Sequence, residues 1–250
     1  MTPRVSSLPV RLDPEPTPRR IGLVALSTDM TTEVDFARLL VPRGIAVHAT
    51  RVPFANPVTP ETLAAMAPDI AEAAALILPG ETLDAVVYSC TSASAVIGDA
   101  AVRRAIAAGK PGAEPVTPIS AGLSALAALG AHRISLLTPY LPEATAPVAA
   151  LFSAEGFDLA GVTCMGLADD RAMARIDPAT LAEQARAAVV PGSDAQFIAC
   201  SALRAVSAIQ QIEAAAGMPV VSANLATAWN VLRICGDKGA PVPGALMAAP

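Results

Sequence analysis

The sequence predicts an α/β protein made of two similar doubly wound parallel-sheet lobes, related by a pseudo-two-fold axis, with an active site in the interlobe cleft. Three observations carry that expectation. The stretch "DAVVYSCTSAS" (84–94) recurs as "DAQFIACSALR" (194–204), and each copy reaches a cysteine followed by a hydroxyl residue. Four further segments repeat in the same order, at spacings that drift between 104 and 118 residues, the mark of an internal duplication. Within each half, apolar strand-like runs alternate with alanine-rich helical stretches, the pattern of parallel strands covered by helices on both faces.

Residues 1–19 contain five prolines and no apolar core, so they read as a mobile leader and not as a signal peptide. The first strand, 20–27 in "RIGLVALST", has its counterpart at 133–138 in "RISLLTPYL". The next pair, 45–52 and 157–164, each follow a glycine. "TPETLAAMA" and "DPATLAEQA" then open helices at 61–78 and 179–190, with Thr or Asp ahead of a proline at the first helical position. Strands at 84–89 and 195–199 end at the cysteines, before helices at 95–108 and 202–216. Short strands at 115–117 and 219–221 precede helices at 121–130 and 224–235, and a helix at 143–155 follows the fifth strand. The expected lobes are 20–118 plus 223–250, and 119–222.

Composition removes several function classes. Hydrophobic residues make up 53% of the 250 and aromatics 3%, which excludes global disorder and favours close helix packing. The net charge of −5 has no basic run behind it, and nucleic-acid binding would need clustered Lys/Arg and stacking aromatics. No stretch reaches the ~18 uninterrupted apolar residues of a membrane span. With two histidines and no CxxC spacing, a metal site is unsupported and no cofactor is called for. A cytoplasmic location is the default expectation, and there the cysteines stay as thiols.

Ligands of doubly wound sheets sit beyond the carboxyl ends of the strands, where Cys90 and Cys200 are both expected. Unpaired N–H groups at a following helix favour anions and lower a thiol pKa. Thr91, Ser92 and Ser201 add hydroxyls that can bind a substrate carboxylate. Opposed thiols permit proton removal from one face of a carbon and delivery to the other. They equally permit addition of one thiolate to an activated alkene, with acid–base help from the other. Packing is the competing explanation for a cysteine at a strand end, and it is the reading for Cys164 and Cys235. The loop "STDMTTE" (27–33) adds Asp29 and Met30, with Thr31 or Thr32 as an expected helix cap. Its counterpart "TPYLPE" (138–143) turns Tyr140 toward the cleft. His48, His132 and Trp229 are expected in surface or core roles, and Arg204 in a pairing with a carboxylate.

"STDMTTE", "NPVTPETLAAM", "CTSAS", "LTPYLPE", "MARID" and "CSALR" together resemble the aspartate/glutamate racemase superfamily from residue 20 to about 236. The resemblance is to its maleate cis–trans isomerase and arylmalonate decarboxylase branch, nearest the ectoine-utilisation protein A group. It implies that Cys90 is the nucleophile and Cys200 its partner. In that family the first thiolate adds to a double-bond carbon of maleate, and rotation followed by elimination yields fumarate. It implies a carboxylate-binding role for Tyr140. Decarboxylase relatives lack the first cysteine, so Cys90 argues against that activity. Maleate isomerases carry asparagine in the first loop, where this chain has Asp29 and Met30, and a second asparagine before the "AR" of "MARID", where it has Asp170. Acids there would repel a dicarboxylate and welcome an amino or amide nitrogen.

The expected function is a cofactor-independent isomerase of a small carboxylic acid, by maleate-type cis–trans isomerisation. Racemisation of an amino acid or derivative, in ectoine degradation for example, and non-catalytic ligand binding are the alternatives. A homodimer is the expected assembly, with no nucleic-acid or membrane partner.

Overall fold

The structure is a computed structural model that describes residues 1–237 and 244–249. Residues 1–19 form no helix or strand, and the first element begins at Arg20. The first half runs β1 (Arg20–Leu26), α1 (Thr32–Leu39), β2 (Ala46–Val52), α2 (Pro60–Ala64), α3 (Ile70–Ala75), β3 (Ala85–Tyr88), α4 (Thr91–Ile97), α5 (Asp99–Gly109), β4 (Glu114–Val116) and α6 (Pro118–Ala128). The second runs β5 (Arg133–Tyr140), α7 (Pro142–Ala154), β6 (Asp158–Leu167), α8 (Asp170–Met173), α9 (Pro178–Ala188), β7 (Ala195–Ile198), α10 (Ala205–Ala216), β8 (Val220–Ser222) and α11 (Ala223–Ile234).

All eight expected strands form, in two parallel four-stranded sheets ordered β2-β1-β3-β4 and β6-β5-β7-β8. The equal order is the duplication expressed in three dimensions. Residues of β3 and β7 are buried throughout, as are all but the first of β1 and β5. Buried faces on both sides explain why these strands are apolar without alternation. The edge strands β2 and β6 are only partly buried, and they tolerate His48, Arg51 and Asp158.

Two expected helices are broken. The stretch 61–78 divides into α2, a 3₁₀ turn at Ala67–Asp69 and α3. Pro68 lies inside it, and a proline there lacks the N–H and crowds the carbonyl of the preceding turn. The stretch 95–108 divides at Gly98, whose φ of +92° no continuing helix can take.

The last helix of each half crosses to the other sheet. A Cβ on Gly122 of α6 would lie 2.7 Å from Phe197 of β7, so the missing side chain lets α6 sit on the second sheet. In turn α11 packs on α1, β3 and β4 of the first. On this exchange we propose lobes of 20–118 plus 223–250 and of 119–222; residues 238–243 and 250 lie outside the described residues. None of the helices among the described residues is long and apolar enough to cross a membrane.

Candidate active site

In both sheets the strand order reverses direction between the first strand of the half and the cysteine-bearing one, β1/β3 and β5/β7. The chain beyond such a switch point diverges to opposite faces and leaves a crevice. The two crevices meet. Cys90, Ser92 and Asp29 from the first lobe line one cavity with Cys200, Ser201, Tyr140 and Asp170 from the second. Leu26, Phe54, Val58 and Leu63 form its apolar wall. The cavity is closed to about 10 Å³, room for roughly one water.

The cysteine segments are tied directly to each other. The backbone N–H of Cys200 donates to Thr91 Oγ1 at 3.3 Å, and Ser201 Oγ donates to the Ser89 carbonyl at 2.9 Å. Cys200 holds a φ of +91°, a left-handed conformation that favours glycine. Such backbone costs about 1–3 kcal/mol and persists where surrounding contacts over-determine it. Those contacts are present: Asn224 Nδ2 donates to the Ser201 carbonyl at 2.8 Å and Thr31 Oγ1 to the Ala202 carbonyl at 2.8 Å. Asn224 also donates to Asp35 at 2.9 Å. Burial drives the Asp35 carboxyl up to about 6, against the opposing pull of Asn224.

The two thiols are not equivalent. Cys90 is the cap residue of α4, as expected. Cys200 is not at a helix start, because residues 201–203 form turns and α10 begins only at Ala205. The expectation of thiols acidified by a helix field also fails. Burial pushes Cys90 up to about 12, against the lowering effects of the Ala93 N–H and the Ser92 hydroxyl. Cys200 is raised too, first by burial and then by the Asp170 charge, against hydrogen bonds from Tyr140 and the Ala202 N–H. Desolvation of a charge in a closed cavity outweighs a few N–H dipoles. Both groups therefore rest as protonated thiols and form no disulfide.

The first loop also differs in detail from expectation. Neither Thr31 nor Thr32 caps α1 with its side chain. Asp29 does so instead, its Oδ1 accepting from the N–H groups of Thr31 and Thr32 at 2.8 and 2.9 Å. That turn points Met30 outward, 48% exposed and away from the cavity, so its expected substrate contact is corrected. Thr91 does not line the cavity either; its Oγ1 is turned to the Cys200 backbone, where it accepts from the N–H. Arg204 donates to the Ile176 carbonyl at 2.8 Å and pairs with no carboxylate among the described residues. Asp170 accepts from Thr28 Oγ1 at 2.6 Å. Its carboxyl is raised by burial first and by Asp29 and Asp169 further.

Sequence reasoning missed the strap at 53–58. Asn56 Nδ2 donates to Asp169 Oδ1 and Asn56 Oδ1 accepts from the Asp170 N–H, both at 2.9 Å. Val58 N–H donates to the Ala168 carbonyl at 2.8 Å. The strap thus draws Phe54 and Val58 over the cavity from the first lobe to the second. It missed Asn224, Asp35 and Ser89 as well; the hydroxyl of Ser89 beside the repeated cysteine was the one available signal.

Comparison with known proteins bears on this arrangement. Residues 40–247 match the protein family described as arylmalonate decarboxylase. A maleate isomerase of Nocardia farcinica is 31% identical over 240 residues, covering 91% of this chain and 94% of its own. Among solved structures, a maleate isomerase of Pseudomonas putida, a cysteine-to-alanine variant with maleate, superposes with a TM-score of 0.84 at 26% identity. The match covers 92% of this chain and 98% of that one. A cysteine-to-serine variant of the Nocardia farcinica maleate cis–trans isomerase, with a covalently bound succinylcysteine intermediate, superposes with a TM-score of 0.83 at 29% identity. It too covers 92% of this chain and 98% of the other.

Proposed function

This chain belongs to the arylmalonate decarboxylase family, in the maleate isomerase branch of the aspartate/glutamate racemase superfamily, and from that premise we propose a cofactor-independent isomerase of a small carboxylic acid. The observation that carries the proposal is that Cys90 and Cys200, from equivalent points of two lobes, line one closed cavity without bonding to each other. The relatives favour cis–trans isomerisation over racemisation, because a succinylcysteine is what a cysteine thiolate and a four-carbon unsaturated diacid form by addition.

In the proposed cycle the reacting enzyme carries Cys90 as the minor thiolate form, its proton released to solvent. This sulfur adds to one double-bond carbon of the substrate, and the same thiolate is regenerated when the sulfur–carbon bond breaks. The Cys200 thiol delivers its proton to the neighbouring carbon, and the resulting Cys200 thiolate is stabilised by the Ala202 N–H. The carbon–carbon bond is now single and rotates. Cys200 then takes a proton back, the bond from Cys90 sulfur to carbon breaks, and the trans acid leaves with no net change of atoms or electrons. Tyr140 and Ser92 offer hydroxyls to the carboxylate, Ser201 keeping its proton on the Ser89 carbonyl, and the apolar wall of Leu26, Phe54 and Val58 keeps the reacting carbons dry. Dryness raises the thiol pKa before substrate arrives and strengthens every charge contact afterwards. We further propose a cytoplasmic homodimer that acts in ectoine degradation.

The test assays maleate and its trans product with wild type, Cys90→Ala and Cys200→Ala, together with intact-mass analysis. Both variants are expected to lose turnover, and Cys90→Ala to form no covalent adduct with the substrate. Full turnover by Cys90→Ala would end the proposal.

A further inference from the structure

The polar wall of the cavity carries two carboxylates with unused capacity. Asp29 spends Oδ1 on two backbone N–H groups. Its Oδ2 has only the Ser89 hydroxyl, at a long 3.5 Å, and that hydroxyl already shares a 2.8 Å hydrogen bond with Thr32. Asp170 spends Oδ2 on Thr28, while its Oδ1 has no hydrogen bond among the described residues. Both side chains belong to residues only 8% exposed.

No counter-charge stands opposite. Among the described residues, no lysine, arginine or histidine lines the cavity. Arg51 lies behind the first loop, where it donates to the Leu26 and Asp29 carbonyls and pairs with Glu33. Arg171 pairs with Asp169 on the exposed side. A buried carboxylate oxygen left short of donors is costly, and a third negative group brought against two carboxylates is repelled. An ammonium reverses both effects, since it supplies three donors and a positive charge.

We propose that Asp29 and Asp170 select a substrate whose end remote from the reacting carboxylate carries a cationic nitrogen: a short-chain unsaturated acid with an ammonium group in place of a second carboxylate. The inference rests on the reading that Cys90 and Cys200 are the reacting pair, and it names the substrate class for that site. The remaining carboxylate activates the double bond, with the Ser92 and Tyr140 hydroxyls as its donors. Cys90 sulfur then adds at the β-carbon and Cys200 protonates the α-carbon, with the same balance as above. Specificity arises as much from the repulsion of the dianion as from attraction of the cation.

Binding and turnover separate this inference from the isomerase reading. Calorimetry on the wild-type chain compares 4-aminobutanoate with succinate, saturated acids that cannot react. We expect 4-aminobutanoate to bind at least about tenfold more tightly. Asp170→Asn should lose about tenfold for 4-aminobutanoate and gain for succinate, and Asp29→Asn should move the same way. Succinate binding as tightly as 4-aminobutanoate to wild type would overturn the inference, whether or not either variant folds. So would an unchanged preference in Asp170→Asn with native thermal stability. Turnover of cis-4-aminobut-2-enoate and of maleate is then measured on wild type. Selective binding of the amino acid with no isomerisation of either would sink the isomerase reading alone. Tighter succinate binding with fast maleate turnover would sink the ammonium inference alone.

Discussion

The backbone N–H of Cys200 donates to the hydroxyl of Thr91, the residue that follows Cys90, across 109 positions of sequence. Each thiol-bearing loop is therefore a structural support of the other. Thr91→Val removes the acceptor and leaves a buried N–H unpaired at a backbone already strained, a loss of about 1–3 kcal/mol. We expect kcat/KM to fall tenfold or more while most of the fold survives, and Thr91→Ser to recover most of the activity. Wild-type kinetics in Thr91→Val would show that the tie does not position Cys200.

The Cys90 thiol is held up at about 12 by burial, so at neutral pH it should react slowly with iodoacetamide in the absence of substrate. The alkylation rate, read by peptide mass spectrometry, should climb with each pH unit through the range where a free thiol, near 8.5, has already levelled off. A plateau below pH 8 would contradict the desolvated environment.

Asp35 is an acid whose folded-state value, about 6, lies above the ordinary 3.8. Its ionised form is thus penalised by folding. The penalty is fully present above pH 6, shrinks as the pH falls from 6 toward 4, and is gone below the unfolded value. A shift of this size corresponds to about 3 kcal/mol at most. Asp35→Asn keeps an oxygen for Asn224 and removes the charge. Denaturant unfolding should find it more stable than wild type at pH 8 and equal to it near pH 3. A variant destabilised at both would refute the assignment.

Asn56 makes two hydrogen bonds across the cleft, to Asp169 and to the Asp170 N–H. The cavity behind it holds roughly one water, and Phe54 and Val58 of the strap form part of its wall. Asn56→Ala should raise amide hydrogen exchange at 53–58 and speed alkylation of Cys90 severalfold. Unchanged exchange there would mean that Asn56 does not hold the strap.

Much of this architecture was legible in the order of residues. The duplication announced two equal sheets, and the apolar runs marked the strands, most plainly β1, β3, β5 and β7, because a strand buried on both faces writes its environment into consecutive residues. The equivalence of Cys90 and Cys200, and with it the placing of Tyr140 at the same cleft, followed from that repeat and from the place where ligands sit in doubly wound sheets. Asp170 was named by the family resemblance alone. Pro68 and Gly98, which break two helices, were visible but outweighed by the alanine-rich pattern around them.

What only the tertiary structure decided is the electrostatic and steric state of the site. A thiol beside a helix start reads as acidic from local sequence. Whether it is acidic depends on how much water the rest of the chain leaves around it, and the strap from Asn56 leaves little. Thr91 reads as a substrate hydroxyl until Cys200, 109 residues away, claims it, and Met30 reads as a contact until Asp29 caps α1 and turns it outward. Periodicity reports which face a residue shows to its neighbours in sequence. Solvation and cross-lobe hydrogen bonds are set by residues a hundred positions distant, and those exist only once the lobes have closed on each other.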